Sequence, residues 1–378
     1  MSSSNSCESS ARFTAPVYLD AAPLTSSRLT GIGRYTARLA IALAARTRLR
    51  LYLDRSELHP SPRLDWSHDQ DLGRWARAVG RSPRSQLSPP AGSVGICSGT
   101  RNTTRRFDHE ISIIHDLTPL FLPEVHVAAT IRDFQRLAAS TLLLADALIA
   151  DSHATRADIE LLTDVPPARI VVGRPGASLC VQRHLHPSAV SRRPEVGIMV
   201  ATLEPRKNAA FLADWFFDSP VLPENAELWW VGSKGWLASK SDLGTRRSRG
   251  GRKLRLLGAV SDKELCRLYR TAGWMAYPSL YEGFGFPVLD ALRHGVSVMC
   301  AGNSSLIEFE PAGVTFFDPL DPSSLDRCFE RRRPAEDVIA PPHPLDEQFS
   351  WDRVVDLIAS TAAGCSSRGE TSVVSQCA

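Results

Sequence analysis

Two stretches carry residue types and spacings suited to a phosphorylated, hydroxyl-rich ligand. The first is SLYEGFGFPVLDALRHG (279–295). The apolar run WMAYPS leads into it, and the Gly-rich turn precedes a helix predicted to open near Pro287 and close at Gly295. Glu282, Gly283 and Gly285 therefore fall where a strand meets a helix N-terminus. Backbone N–H groups and the helix dipole favour an anion there, typically phosphate. Glu282 can accept hydrogen bonds from hydroxyls. Asp290, eight residues later and one turn into the helix, can do likewise. The plainer alternatives are a turn residue and a carboxylate that complements the helix dipole.

The second stretch is MVATLEPRKNAAFLADW (199–215), where another strand end leads to Arg206, Lys207 and Asn208. Two cations opening a helix suit a diphosphate, and can stabilise a phosphate leaving group as its charge grows. Two solvated surface cations are the alternative. His115 ends the run ISIIHD, where open α/β sheets bind ligands; a packed strand-end histidine is its alternative. The segment HDQD (68–71) holds a D-x-D pattern, but no apolar strand precedes it and it reads as a polar loop.

These groups need strands to position them. Short apolar runs alternate with helix-like stretches. In the first half they are APVYLDA, LRLYLD, SVGICSG, ISIIHD, DALIADS and RIVVGRP. In the second half they are VGIMVAT, AELWWVG, KLRLLGA, GWMAYPS, VSVMCAG and VTFFDP. Runs of this length between helices read as buried parallel strands. They predict two open, doubly wound α/β sheets facing one another. The predicted organisation is a disordered tail (1–14), a first α/β domain (15–185), a second α/β domain (186–345), a terminal helix crossing back to the first domain (346–365) and a second tail (366–378). The joint falls in SLCVQRHLHPSAVSRRPEV (178–196), which is polar, Pro-containing and aperiodic.

At 378 residues, with 43% hydrophobic and 22% charged residues, the composition fits two globular domains and excludes a disordered, collagenous or coiled-coil chain. The net charge of +3 is too small to imply nucleic acid. Eight cysteines without a CxxC pair argue against a disulfide framework or structural zinc, so a cytoplasmic setting is expected. The longest apolar stretch, LAASTLLLADALIA (137–150), is too short to span a membrane, and the N-terminus lacks a signal pattern. Residues 72–107 hold seven arginines and no acidic residue, and residues 233–256 hold eight basic residues against Asp242. Each reads as a solvated loop, or as an electropositive rim for an anionic acceptor or a membrane surface.

The TLEPRKN, WWVGSKGW, LLGAVSDKELCRLYRTA, PSLYEGFGFPVLDAL and VTFFDPLDPSSL segments, in this order, resemble glycosyltransferase family 4. So, more weakly, do LTGIGRYTARLA, IIHDLTPLF and ADALIADSHATRADI. The resemblance spans roughly residues 16–360. It implies the GT-B fold, with two Rossmann-like domains, and metal-free retaining transfer from a nucleotide sugar. By position, Lys207 and Arg206 would hold the donor diphosphate. Glu282 would contact the donor sugar, and Asp290 the ribose hydroxyls. The backbone of Gly285 and Phe286 would face sugar and phosphates. Gly31 and Gly33 would form a glycine-rich loop, and His115 would face the transferred sugar from the first domain. Two positions depart from the family: Asp stands for Glu at 290, and Ala201 stands where many members have Arg.

The implied reaction is hexosyl transfer, mannosyl favoured, from GDP-mannose or another NDP-hexose to a polysaccharide or lipid-diphosphate-linked glycan. No further cofactor and no metal is implied. The setting would be cytoplasmic, with a peripheral contact at the inner face of the membrane. Two rivals remain. One is a non-catalytic nucleotide-sugar-binding subunit. The other is a dinucleotide-dependent enzyme, from Gly31, Gly33 and Asp54, although Thr36 holds the third glycine position.

Overall fold

The computed structural model describes residue 13 and residues 15–26, 29–67, 71–99, 104–179, 191–235, 248–335 and 344–374. Two sheets dominate it. The first holds β1 (Val17–Asp20), β2 (Leu49–Leu53), β3 (Ser56–Leu58), β4 (Arg84–Gln86), β5 (Val94–Cys97), β6 (His109–Ile114), β7 (Ala147–Ala150) and β8 (Ile170–Val172), in the order β4-β3-β2-β1-β5-β6-β7-β8. The second holds β9 (Arg193–Val200), β10 (Glu227–Val231), β11 (Ser248–Arg249), β12 (Arg252–Gly258), β13 (Ala272–Tyr277), β14 (Ser297–Ala301) and β15 (Thr315–Phe317), in the order β11-β12-β10-β9-β13-β14-β15.

Each apolar run of the sequence is a strand, and these strands pair in parallel. The short antiparallel strands β3, β4 and β11 at the sheet margins differ from the expectation of parallel strands alone. They are two or three residues long and hold one apolar residue between them, Leu58, so they carry no apolar run to read. In each sheet the strand order reverses beside the first strand, β1/β5 and β9/β13. Open α/β sheets bind ligands at the carboxyl ends of such strands. This is the expected GT-B architecture of two Rossmann-like units.

The helices are α1 (Gly31–Ala44), α2 (Leu72–Gly80), α3 (Thr118–Phe121), α4 (Ala128–Leu144), α5 (His153–Leu162), α6 (Ala209–Asp218), α7 (Asp262–Thr271), α8 (Phe286–Arg293), α9 (Pro322–Arg331) and α10 (Trp351–Val374). Local sequence starts several of them. Thr30, Asp71, Ser152, Ser261 and Asp321 each accept a backbone N–H of the first turn of α1, α2, α5, α7 and α9. Asp71 is thus a helix cap, while the rest of HDQD lies outside the described residues.

The second sheet is packed around Trp215, Trp274, Phe309 and Phe349. Helix α10 leaves that domain and joins the first core through Trp351, Val354, Val355 and Ile358. The Trp351 indole N–H donates to the Ala177 carbonyl at 3.0 Å, fastening the helix beside the inter-domain connection. The helix runs Trp351–Val374, where the sequence suggested 346–365 followed by a tail. Strand β9 starts at Arg193, inside the expected joint, because Arg193 still pairs with Ala272 of β13. Most of that joint, and half of the basic stretch 233–256, lies outside the described residues. Among the described residues no helix is long and apolar enough to cross a membrane.

Candidate active site

The carboxyl ends of the two sheets face each other across a cleft of about 940 Å³. Its second-domain wall grows from the ends of β9 and β13. After β9 a single 3-10 turn (Pro205–Lys207) carries Arg206 and Lys207, and Asn208 closes it at φ 53°. After β13 the loop 278–285 carries Glu282. The Leu280 N–H donates to the Arg206 carbonyl at 2.9 Å, stitching the two loops together. Ser304 and Ser305 hold the second loop from behind, through the Glu282 N–H at 3.0 Å and the Glu282 and Phe284 carbonyls.

Four charged side chains meet there. Lys207 Nζ lies 2.5 Å from Glu282 Oε1, and Arg206 lies 2.9 Å from Glu282 Oε2 and 3.0 Å from Glu204. Lys207 also donates to the Tyr277 hydroxyl at 3.2 Å, and Ser279 donates to Glu282. Burial alone would raise the Glu282 carboxyl, but Arg206 and Lys207 outweigh it and hold it at about 2. Burial, with Arg206 alongside, pulls the Lys207 ammonium below its ordinary value despite Glu282. Burial raises the Glu204 carboxyl. Two cations and two anions thus neutralise one another, while the buried Nε of Arg206 has no partner among the described residues.

The first-domain wall is assembled from three strand ends. His115 follows β6, Ser98 follows β5 and Asp151 follows β7. His115 Nδ1 is 2.5 Å from Asp151 Oδ2, and Nε2 is 2.8 Å from the Ser98 carbonyl. Tyr35 of α1 stands edge-on to the ring at 4.8 Å between centroids. The walls touch at Gly283, where an added Cβ would lie 1.7 Å from the His115 carbonyl oxygen. The Thr155 hydroxyl joins the same seam, 3.1 Å from that oxygen and 3.2 Å from the Gly283 carbonyl. On the nucleotide-binding side of other such folds the helix N-terminus is the usual anion site; here α8 opens on the cleft through Gly285, Phe286 and Pro287.

Residues 194–329 match the family model described as glycosyl transferases group 1. The chain is 26% identical over 330 residues to the O-antigen chain mannosyltransferase B of Escherichia coli, covering 78% of this chain and 84% of that relative. The chain has the GT-B fold, and its second domain is similar to the glycosyl transferases of group 1. It is also 26% identical to the serotype-specific mannosyltransferase WbdA of Escherichia coli over 65% of its own length, which is 32% of that relative. Among solved structures it resembles a sucrose-phosphate synthase from Thermosynechococcus elongatus (TM-score 0.55, 15% identity, 96% of this chain and 100% of that one). It also resembles WaaG, a glycosyltransferase involved in lipopolysaccharide biosynthesis (TM-score 0.54, 16% identity, 91% and 95%). At such identities the structural likeness concerns the fold.

The structure brings His115, Glu282, Arg206, Lys207, Gly285, Phe286 and Asp290 to one cleft. The Phe286 ring lies 5.1 Å from Phe284 and stacks on Trp351, so its side chain is a packing element. Gly285 caps α8 at φ 106°, a conformation that favours glycine. Gly31 and Gly33 are not a loop but the first turn of α1, because Thr30 caps that helix with its side chain on the Gly33 N–H at 3.2 Å. Gly31 lines the cleft, whereas a Cβ at Gly33 would meet Leu29 and the Pro23 carbonyl at 2.9 Å. The dinucleotide fingerprint does not form: a 3-10 turn (Ala22–Leu24) separates β1 from α1, and Asp54 is exposed and paired with Arg106. Ala201 lines the cleft without a charge.

Asp290 is buried against the inter-domain connection. Its carboxylate accepts from the Ser178 N–H at 3.0 Å, the Leu179 N–H at 3.1 Å and the Ser178 hydroxyl at 2.5 Å. Burial raises this carboxyl against those donors. Nearby, Arg34 of α1 reaches across the cleft to Asp262 at the start of α7. The sequence reading had singled out neither that pair nor Ser98, Asp151, Glu204 and Tyr277. The shared signal was position: Ser98, Asp151 and Tyr277 all stand at the carboxyl end of a strand.

Proposed function

We propose that the protein is a retaining family 4 hexosyltransferase that moves mannose, from GDP-mannose or another NDP-hexose, to a polysaccharide or lipid-diphosphate-linked glycan. The observation that carries this reading is the pair Arg206–Lys207 facing the α8 N-terminus in one cleft between two Rossmann-like units. The names of the Escherichia coli relatives support mannose. The donor diphosphate would take Arg206 and Lys207 away from Glu282, and its phosphates would meet the N–H groups at Gly285 and Phe286. Glu282, released from its cations, would then accept hydrogen bonds from the sugar, with His115 opposite. Asp290 would serve the ribose only by exchanging its bonds to Ser178 and Leu179.

For retention, the acceptor hydroxyl would attack the face that the nucleoside diphosphate leaves. The departing phosphate would take the acceptor proton, and Arg206, Lys207 and α8 would stabilise its charge. No further cofactor is proposed. The protein would work in the cytoplasm, touching the inner membrane face. Arg74, Arg77, Arg81 and Arg84 on α2 and β4 are exposed and suit that contact, whereas Arg105 and Arg106 are paired with Asp146 and Asp54.

The test is a thermal-shift screen of nucleotide sugars, followed by turnover of the best donor and assignment of the product anomer. GDP-mannose stabilisation with an α-mannosyl product is expected. An inverted anomer overturns retention, and binding without turnover on any glycan or lipid-linked acceptor favours the non-catalytic subunit.

A further inference from the structure

We propose that Asp151 is a positioning residue for His115, holding its ring so that Nε2 remains an N–H donor at the first-domain wall of the cleft. The proposal rests on the reading of that cleft as the donor site. His115 Nε2 lies 2.8 Å from the Ser98 carbonyl oxygen, an atom that only accepts, so Nε2 bears a proton. Nδ1 lies 2.5 Å from Asp151 Oδ2, and a second proton lies between them. The ring and carboxylate together therefore hold one proton more than a neutral imidazole beside a carboxylate.

The surroundings keep it there. The side chains of His115 and Asp151 are 14% and 3% exposed. Burial alone would make the ring neutral, but the Asp151 carboxylate outweighs it and raises His115 above its ordinary value. Burial also raises the Asp151 carboxyl, so both partners retain the shared proton. The titratable groups facing the pair are Asp116, next in the chain, and Tyr35 of α1. Asp116 favours the proton, and burial keeps the Tyr35 phenol neutral. From α5 comes Thr155, and from the second-domain loop Gly283.

If the pair lost its proton with Asp151 in place, the remaining one would stay on Nδ1, facing the carboxylate. Nε2 would then turn from donor to acceptor. Nε2–H rests on the Ser98 carbonyl, and a sugar hydroxyl would take it over. Asp151 Oδ1 is buried, lines the same cleft and has no partner among the described residues, leaving a second acceptor beside the ring.

The test uses the full chain labelled with ¹⁵N-histidine, one of ten histidines being identified by its loss in His115→Gln. At pH 7.5 the parent should show His115 with both nitrogens protonated, and Asp151→Asn should show it neutral. With the best donor, Asp151→Asn should lower kcat by about tenfold or more and move the alkaline limb of its pH profile down by about one unit or more. Its affinity for the nucleoside diphosphate should stay at the parent level. A neutral His115 in the parent overturns the proposal, needs no variant to fold, and leaves the donor reading intact. An unmoved alkaline limb in folded Asp151→Asn overturns it as well. Full turnover by His115→Gln overturns both the proposal and the role of His115 at the sugar.

Discussion

On the second-domain wall of the cleft, four charged side chains drawn from residues 204–282 neutralise one another in a single packed cluster. On the first-domain wall, one histidine is held by groups from two other strand ends, Ser98 and Asp151. The second wall holds its charge in internal pairs. The first wall holds orientation: a ring whose two nitrogens are already committed. On the proposed reading, a donor entering the cleft would exchange ion pairs on one side and a hydrogen bond on the other.

The largest effect expected from separating the walls is at Gly283. A methyl group there would lie 1.7 Å from the His115 carbonyl, so Gly283→Ala must push the domains apart. Displacements of about 1 Å at a reacting centre can cost about 100-fold. Turnover of Gly283→Ala should fall at least that far in steady-state kinetics, while calorimetry still finds nucleoside diphosphate binding to the second domain. Parent-like turnover would mean that the walls need not touch for catalysis.

Next comes Glu282→Ala, which strands Lys207 in a buried site and leaves Arg206 with Glu204 as its remaining ion pair. Breaking a buried pair by removing one partner costs about 3–5 kcal/mol. Chemical denaturation should show a loss in that range, and added nucleoside diphosphate should restore more stability to this variant than to the parent. The pH dependence has a fixed sign. The Glu282 carboxyl is held at about 2 against an ordinary 4.5, so its contribution is present above 4.5 and is lost as pH falls towards 2. The parent should therefore lose more stability across that acid window than Glu282→Gln. An equal loss would place the acid sensitivity elsewhere.

Asp290→Ala should cost about 1–3 kcal/mol, because three donors on Ser178 and Leu179 lose their buried acceptor. Melting curves measure that. Calorimetry on the same variant decides the ribose: parent-like nucleotide affinity would leave Asp290 as an anchor of the inter-domain connection only. Arg34→Ala takes the charged partner from the mostly buried Asp262 across the cleft and should cost a comparable amount, about 1–3 kcal/mol. A much larger loss would make that pair the main tie between the walls.

The same contrast governs what could be read from the sequence. Glu282, Arg206 and Lys207 lie in two short segments, each a strand end running into a turn and helix, and local pattern is enough to find them. Ser98, Asp151 and His115 come together only because β5, β6 and β7 are neighbours in register, which no single segment reveals. Apolar runs marked each parallel strand, but β3 (SEL), β4 (RSQ) and β11 (SR) hold a single apolar residue between them, too little to leave such a mark. The resemblance implied a glycine-rich loop at Gly31 and Gly33, yet the Thr30 cap starts α1 ahead of them. Asp290 was legible as a carboxylate one turn into a helix. Its engagement with Ser178 was not, because that contact depends on how the inter-domain connection runs.

The central claim is that a donor diphosphate takes Arg206 and Lys207 from Glu282. Calorimetric titration of GDP into the parent and into Lys207→Ala tests it most directly. Loss of a charge-assisted hydrogen bond of about 1.5–3 kcal/mol should weaken binding by about tenfold or more in the variant. Equal affinity in the two proteins, with Lys207→Ala folded, would contradict it.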